Sequence, residues 1–339
     1  MYATLTLPAG QDLDAPRRSP TVRVRSADEL RNALRQARGQ ALTLDASGLD
    51  RVLHADAARG LLEVQAATSW SELAGYLSGR GFALDSFASL ARLPATVGEA
   101  VSQAGAGPDG LPVPAHVVAA TLVTHDGELR RADRHANPQL LELALGGQGV
   151  LGVLYSLTLS IESLQRSAAQ SAAAVELCMP EAGLAGAAAC AIECLLPPEE
   201  LDGFLLEVRS LVDERGLALL GISVRRTLPE RSCHLNWATR EWAGAEIRFG
   251  TKTTLGASVV AAEVRRALLA AALARGGSFP VADMRDATRA QLETCYPMLK
   301  GFLAEKRRAD PAERLQNAWY RQVSARLRAE SCDVRWSRS

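Results

Sequence analysis

Residues 138–161 read PQLLELALGGQGVLGVLYSLTLSI, and the order of their parts constrains the fold more than any other feature of the chain. Gly147-Gln148-Gly149-Val150-Leu151-Gly152 spells G-x-G-x-x-G. That spelling holds a dinucleotide pyrophosphate in the Rossmann manner only where the glycines follow a strand and open a helix, because the phosphates sit on the helix N-terminus. Here Pro138 suits a first helical position, and Leu140, Leu141, Leu143, Ala144 and Leu145 give the upstream segment a broad apolar face. Downstream, Val153, Tyr155, Leu157, Leu159 and Ile161 alternate with Leu154, Ser156, Thr158 and Ser160, the period of a strand. The order is helix, glycine turn, strand. An acidic residue about 20 positions further on is also wanted for the ribose. Glu162 is too near, and Glu176 follows a Ser/Ala-rich stretch. The order argues against a Rossmann site and a nicotinamide-dependent enzyme. It leaves a helix-ending turn whose glycines supply positive φ.

A chain of 339 residues implies two domains or one large one. Lys plus Arg (38) equals Asp plus Glu (38), so no global basic field exists for nucleic acid. No uninterrupted apolar run approaches the length of a membrane span, and the first twenty residues lack the layout of a signal peptide. A cytoplasmic protein without a membrane span is expected. Cys178, Cys190, Cys194, Cys233, Cys295 and Cys332 form no C-x-x-C pair and stand at no zinc spacing from a histidine, which points to buried free thiols and no metal site. AACAIECLLP reads equally as a helix or a strand. His54, His116, His125, His135 and His234 are dispersed, and G-x-S-x-G is absent.

Residues 1–20 read as a loose arm punctuated by prolines, and VRVRS (22–26) as a short strand. Ser26 and Glu29 spell a capping box ahead of Leu30, Ala33, Leu34 and Ala37, so 27–38 is an amphipathic helix. Strands follow at 41–47 and 61–67. Ser69 and Glu72 form a second capping box for a helix running to Gly79. Next come an apolar piece near Phe82–Phe87, a turn at Leu93-Pro94, a helix near 96–103 and a Gly/Pro-rich loop. HVVAATLVT (116–124) is a buried strand that turns at Asp126-Gly127. After a small, polar stretch at 165–174, a second region alternates helices (from Pro198; 258–277) with strands (221–228; 246–255). The remainder is helical by period.

These pieces together resemble the FAD-linked oxidases of the vanillyl-alcohol oxidase / p-cresol methylhydroxylase (PCMH-type) superfamily. SADELRNALRQAR is similar to the family's first helix, and SGLDRVLHADAARGLLEVQAATSWSELAGYL to its strand, strand, tryptophan-initiated helix segment. LPATVGEAV resembles its T-V-G-G turn. VVAATLVTHDGELRRADRHANPQLLELALGGQGVLGVLYSLTLSI resembles the stretch that ends its flavin domain. YPMLKGFLAEKRRADPAERLQNAWY resembles its closing helix, Asp-Pro and Asn. The resemblance runs from about Val22 to Tyr320. It implies an α+β fold with a PCMH-type FAD-binding domain at 20–165 and a cap or substrate domain with an antiparallel sheet at 172–276. Helices at 277–330 would return to the first domain. It further implies FAD as cofactor, with Val97, Gly98, Gly107, Gly147, Gly149, Gly152 and Val153 as the candidate cofactor contacts.

The sequence departs from the family at the phosphates. The family follows its first helix with a glycine-rich loop whose successive N–H groups wrap the pyrophosphate. Here Arg38-Gly39-Gln40 runs almost directly into ALTLD, so that loop is missing. The family's Gly-Gly is Gly98-Glu99, which sets a carboxylate where phosphates are expected. GSFPVADMRDAT (277–288) lacks the tyrosine that relatives place before the flavin, and reads as a solvated loop holding Asp283, Arg285 and Asp286. His116, His234 and Lys252 qualify as a catalytic base by residue type alone, so no catalytic residue is assigned. Two expectations follow. One is an FAD-dependent oxidoreductase acting on an alcohol, sugar or related C–H substrate. The other is a degenerate, flavin-free paralogue that serves as a binding or assembly subunit with a protein partner.

Overall fold

A computed structural model of the chain describes residues 2–5, 20–37, 42–82, 95–169, 175–178, 188–252 and 254–333. The Arg38-Gly39-Gln40 step, the apolar piece after Phe82 and the Leu93-Pro94 turn lie outside them. The chain divides into two units. The first comprises 1–171, 231–236 and 298–339, and the second 172–230 and 237–297.

The first unit opens with a three-stranded sheet of order β1-β3-β2, from β1 (Tyr2–Leu5), β2 (Thr21–Arg23) and β3 (Leu42–Asp45). β2 runs parallel to β3 and β1 antiparallel, so part of the stretch expected to be a loose arm is a paired strand. α1 (Ala27–Gln36) starts at Ser26, whose hydroxyl accepts the Glu29 N–H (3.2 Å). The Glu29 carboxylate reaches one residue further back than in a standard capping box and accepts the Arg25 N–H (2.8 Å). Leu30, Ala33 and Leu34 bury one helix face against Leu42, Leu44 and Leu49, which is the amphipathic pattern seen in the sequence.

Five antiparallel strands form the unit's main sheet, in the order β4-β5-β8-β6-β7: β4 (Val52–Asp56), β5 (Leu61–Gln65), β6 (Val117–Val123), β7 (Leu129–Asp133) and β8 (Val153–Ser160). β8 is central and buried along most of its length, as a strand covered on both faces must be. α2 (Trp70–Ser78) carries a full capping box, with Ser69 and Glu72 each accepting the other's N–H. α3 (Val97–Ser102) is capped by the Thr96 hydroxyl, and α4 (Pro138–Ala144) precedes the glycine turn into β8. The small, polar stretch after β8 begins as a helix, α5 (Ile161–Ala169). α9 (Leu299–Ala309) and α10 (Ala318–Asp333) complete the unit.

Lys306 and Asp310 anchor this last part. Both are buried, and their side chains are bonded to each other. Asp310 also accepts the N–H groups of Arg314 (2.9 Å) and Leu315 (2.8 Å). Burial works against its charge, but the Leu315 N–H, the Lys306 ammonium and the Arg314 N–H together hold its carboxyl below the ordinary value. Arg314 donates to the carbonyls of Leu34 and His125, both at 2.6 Å, which ties the segment to α1 and to the β6–β7 turn.

The second unit is a four-stranded antiparallel sheet of order β10-β12-β11-β9, from β9 (Val175–Cys178), β10 (Ala188–Leu196), β11 (Ala218–Thr227) and β12 (Trp242–Thr251). AACAIECLL is thus a strand. α6 (Leu201–Asp213) and α7 (Leu255–Ala274) pack with each other and against the strands. Ala243, Ala245, Ile247 and Phe249 supply one buried apolar face of β12. On the alternate face Arg225 of β11 and Glu193 of β10 form a two-point ion pair (2.6 and 3.2 Å) across the middle strand. The pair crosses over Gly244, where a Cβ would stand 2.8 Å from Glu193 Oε1.

GSFPVADMRDAT is not a solvated loop. Its central part, 281–286, is a short 3-10 helix followed by α8 (Arg289–Cys295), and Asp283 and Asp286 are buried. Each carboxylate has a partner the sequence did not reveal. Asp283 accepts the Glu193 N–H (3.3 Å), and Asp286 accepts from Arg265 Nε (2.9 Å).

Candidate functional site

The candidate residues gather on two turns of the first unit that meet each other. Val97 and Gly98 open α3. Gly147, Gly149 and Gly152 lie between α4 and β8, and Val153 is the first residue of β8. The end of α3 holds the glycine turn in place. The Val101 carbonyl accepts the Gly146 N–H (3.0 Å), and the Ser102 carbonyl accepts the Gln148 N–H (2.9 Å). Gly107 stands apart on the loop after α3, where its N–H donates to the Leu111 carbonyl (2.6 Å).

A turn that wraps a pyrophosphate needs N–H groups left over for it. In the first turn, Val97 N–H donates to the Thr68 carbonyl (2.9 Å), Gly98 N–H to the Ala66 carbonyl (2.7 Å) and Glu99 N–H to the Thr96 hydroxyl (3.3 Å). In the second, Gly147 N–H donates to the Ala144 carbonyl (3.3 Å) beside the two bonds to α3. Six N–H groups of the two turns thus end on the protein itself.

Neighbouring protein atoms also account for most of the glycines. A Cβ on Gly98 would stand 2.6 Å from Ala66 Cβ, and one on Gly152 would stand 3.1 Å from the Val123 carbonyl oxygen. On Gly107 it would lie 2.9 Å from the Leu111 carbonyl oxygen, and on Gly147 it would overlap that of Leu143. Gly149 differs. It has φ +71°, and nothing lies within 4 Å of where its Cβ would be. Among the candidates, this position offers a ligand open space next to the backbone.

Residues 231–236, which return to the first unit, press on the same turn. His234 N–H donates to the Glu142 carbonyl (2.9 Å). Cys233 Sγ lies 3.2 Å from where a Gly146 Cβ would be. The His234 ring is 6.1 Å from that of Phe302 on α9, and Asn317 Nδ2 donates to the Gln148 carbonyl (2.7 Å). Nothing in the periodicity of RSCHLN announced this return. Asn317 belongs to the closing pattern that carried the family resemblance, so it was the one signal within reach.

Of the three residues considered by type as bases, Lys252 is exposed and His234 is half-buried beside Phe302. His116 is fully buried. Its Nδ1 lies 2.7 Å from Ser163 Oγ, and its Nε2 is 3.8 Å from Asp109 Oδ2. Burial pushes its pKa below the ordinary histidine value although Asp109 pulls it up, so the ring is neutral at physiological pH. Among the described residues no group of three or more His, Cys, Asp or Glu side chains is placed to hold a metal ion. No helix among them is long and apolar enough to cross a membrane.

The residues present therefore fit FAD unevenly. The turn at Gly149 has room beside its backbone, as the nucleotide half would require. The N–H groups of Val97, Gly98, Glu99, Gly146, Gly147 and Gln148 are committed within the chain and are not free for a pyrophosphate.

Comparisons with known proteins agree with this fold. No curated protein sequence matches the chain. A solved structure of alkyldihydroxyacetonephosphate synthase superposes with a TM-score of 0.57, covering 87% of this chain and 76% of that one at 11% identity. At that identity the likeness shows the fold alone. The family model described as "FAD binding domain" matches residues 17–133. The chain thus has the PCMH-type FAD-binding fold, and its residues 17–133 are similar to the FAD binding domain family.

Proposed function

We propose that this chain is a PCMH-fold protein that does not grip a flavin pyrophosphate and acts as a binding or assembly subunit alongside an intact flavoenzyme. One observation carries the reading. The N–H groups of Val97, Gly98, Glu99, Gly146, Gly147 and Gln148 are all committed to acceptors within the chain. Breaking those bonds to receive phosphate would leave the carbonyls of Ala66, Thr68, Val101, Ser102 and Ala144 without these donors, at about 1–3 kcal/mol each where they are buried. Glu99 adds a carboxylate to the same turn.

A second reading is favoured by the family match over 17–133 and by the open backbone at Gly149. In it the chain is an FAD-dependent oxidoreductase acting on an alcohol, sugar or related C–H bond. Val97, Gly98, Gly107, Gly147, Gly149, Gly152 and Val153 would line the cofactor, and FAD would supply the hydride acceptor. The chain's own part would be to position both molecules by backbone contact.

The visible absorption spectrum of the purified protein separates the two, taken before and after FAD is added and the excess removed. A colourless protein that fails to retain added FAD supports the subunit reading. A flavin band that survives removal of free FAD overturns it in favour of the oxidoreductase.

A further inference from the structure

Three residues from separate parts of the first unit meet at the start of β6. His116 immediately precedes that strand and is 1% exposed. Asp109, on the loop after α3, is also buried. Ser163 stands in the first turn of α5 and is only half-buried, so it keeps exposure to solvent.

The polarity of their contacts is that of an activated hydroxyl. Asp109 gives Oδ1 to the Leu111 N–H (3.1 Å), and its Oδ2 lies 3.8 Å from His116 Nε2. That nitrogen is buried and has no hydrogen-bond partner. A carboxylate on its side favours the tautomer with the proton on Nε2. Nδ1 is then the acceptor for the Ser163 hydroxyl, 2.7 Å away. Burial keeps the ring neutral and able to take a proton. Two charges act on it: Asp109 favours the imidazolium, and Arg166 of α5 opposes it. The Ser163 N–H donates to the Ser160 hydroxyl (3.2 Å), which fixes the turn, and the N-terminal end of the helix favours negative charge on the serine oxygen. A hydroxyl, a base within bonding distance and a carboxylate behind the base are the parts that covalent catalysis at serine requires. At 3.8 Å the Asp109–His116 contact is longer than a hydrogen bond, so the imidazolium is supported less firmly than cleavage of an amide demands. Esters with a good leaving group are the matching substrates.

We propose that Ser163 is a nucleophile, activated by His116 and positioned through Asp109, for the hydrolysis of small carboxylic esters. Ser163 Oγ bonds to the ester carbonyl carbon as its proton passes to His116 Nδ1. The bond to the alcohol oxygen breaks, and His116 gives that proton to the leaving alcohol. Water then adds to the acyl carbon and its proton passes to His116, which returns it to Ser163 as the acid departs. The sequence balances without an oxidant and is independent of whether FAD is bound.

A fluorophosphonate, which bonds to an activated serine as fluoride leaves, is the probe, applied to the full-length protein and located by peptide mass spectrometry. Labelling at Ser163 is expected in the folded protein and is lost in urea. His116→Gln should slow it by about 100-fold. Asp109→Asn should move the pH of half-maximal labelling downward, because the Asp109 carboxylate raises the His116 pKa; loss of packing alone would not give that shift. Ser163→Ala should lower the turnover of p-nitrophenyl acetate by about tenfold or more, with a thermal midpoint close to that of the wild type. Folded protein that is not labelled at Ser163 overturns the proposal. So does equal labelling in urea, a wild-type labelling rate in His116→Gln, or undiminished ester turnover in Ser163→Ala.

Discussion

Asp283 provides a direct test of how the 281–286 segment is packed. Burial raises its carboxyl from 3.8 to about 7, and the charge of Glu193 adds to the effect. Between those values the folded chain keeps a proton that the unfolded chain has released. The stability that follows is fully present below the unfolded value of 3.8 and is lost as pH rises through about 7. At 1.36 kcal/mol per pH unit, the full interval is worth about 4 kcal/mol. Asparagine at this position stays neutral throughout and can still accept the Glu193 N–H. Urea unfolding of the wild type and of Asp283→Asn, followed by circular dichroism at matched pH, isolates this carboxyl from every other titrating group. From about pH 4 to about pH 8, the wild type should lose up to about 4 kcal/mol relative to the variant. A difference that stays flat over that range would falsify the burial assigned to Asp283, because a hydrated carboxyl has the same pKa in both states.

Two further substitutions test the first unit. Asp310→Ala strands the Lys306 ammonium in the core and should cost about 3–5 kcal/mol, read as a lower urea midpoint. Replacing both partners by apolar residues, Lys306→Met with Asp310→Leu, should recover only part of that loss, because the Arg314 and Leu315 N–H groups remain without their acceptor. Gly147→Ala and Gly149→Ala separate packing from open space on one turn. The first should destabilise by about 1–3 kcal/mol through overlap with Leu143. The second should cost about 1 kcal/mol from backbone strain alone. Equal thermal midpoints for the two variants would contradict the packing described.

Much of the first unit was legible in the sequence because its signals are local. Ser26 with Glu29 and Ser69 with Glu72 mark helix starts through bonds that span three residues. The alternation from Val153 onward marks a strand whatever it packs against. The helix, turn, strand order rejected a Rossmann site without any knowledge of the tertiary fold. Less was visible where partners come from far along the chain. Asp283 and Asp286 looked solvated because their partners, Glu193 N–H and Arg265, are 90 and 21 residues away. β12 starts at Trp242, earlier than its polar alternation suggested, since Ala243-Gly244-Ala245 resembles a break until the ion pair above Gly244 is known. α5 went unread because QRSAA offers no apolar period. At the candidate site, the glycines were found by spelling, but spelling says nothing of where their N–H groups point. The bonds to Thr68, Ala66, Ala144 and Ser102 exist only once β5, α3 and α4 have been assembled.

The ion pair over Gly244 also bears on how the second sheet finds its pairing. Alternation of apolar and polar residues has a period of two, so it penalises a slip of one residue and is blind to a slip of two. A two-residue slip of β12 would keep Ala243, Ala245, Ile247 and Phe249 on the apolar side. It would also bring the Trp242 or Glu246 side chain beneath Arg225 and Glu193 in place of a bare backbone. The indole would block the bridge, and the extra carboxylate would compete for the guanidinium. One missing side chain therefore encodes what the hydrophobic pattern cannot. It acts as an alignment mark on the middle strand, read jointly by the strands on either side.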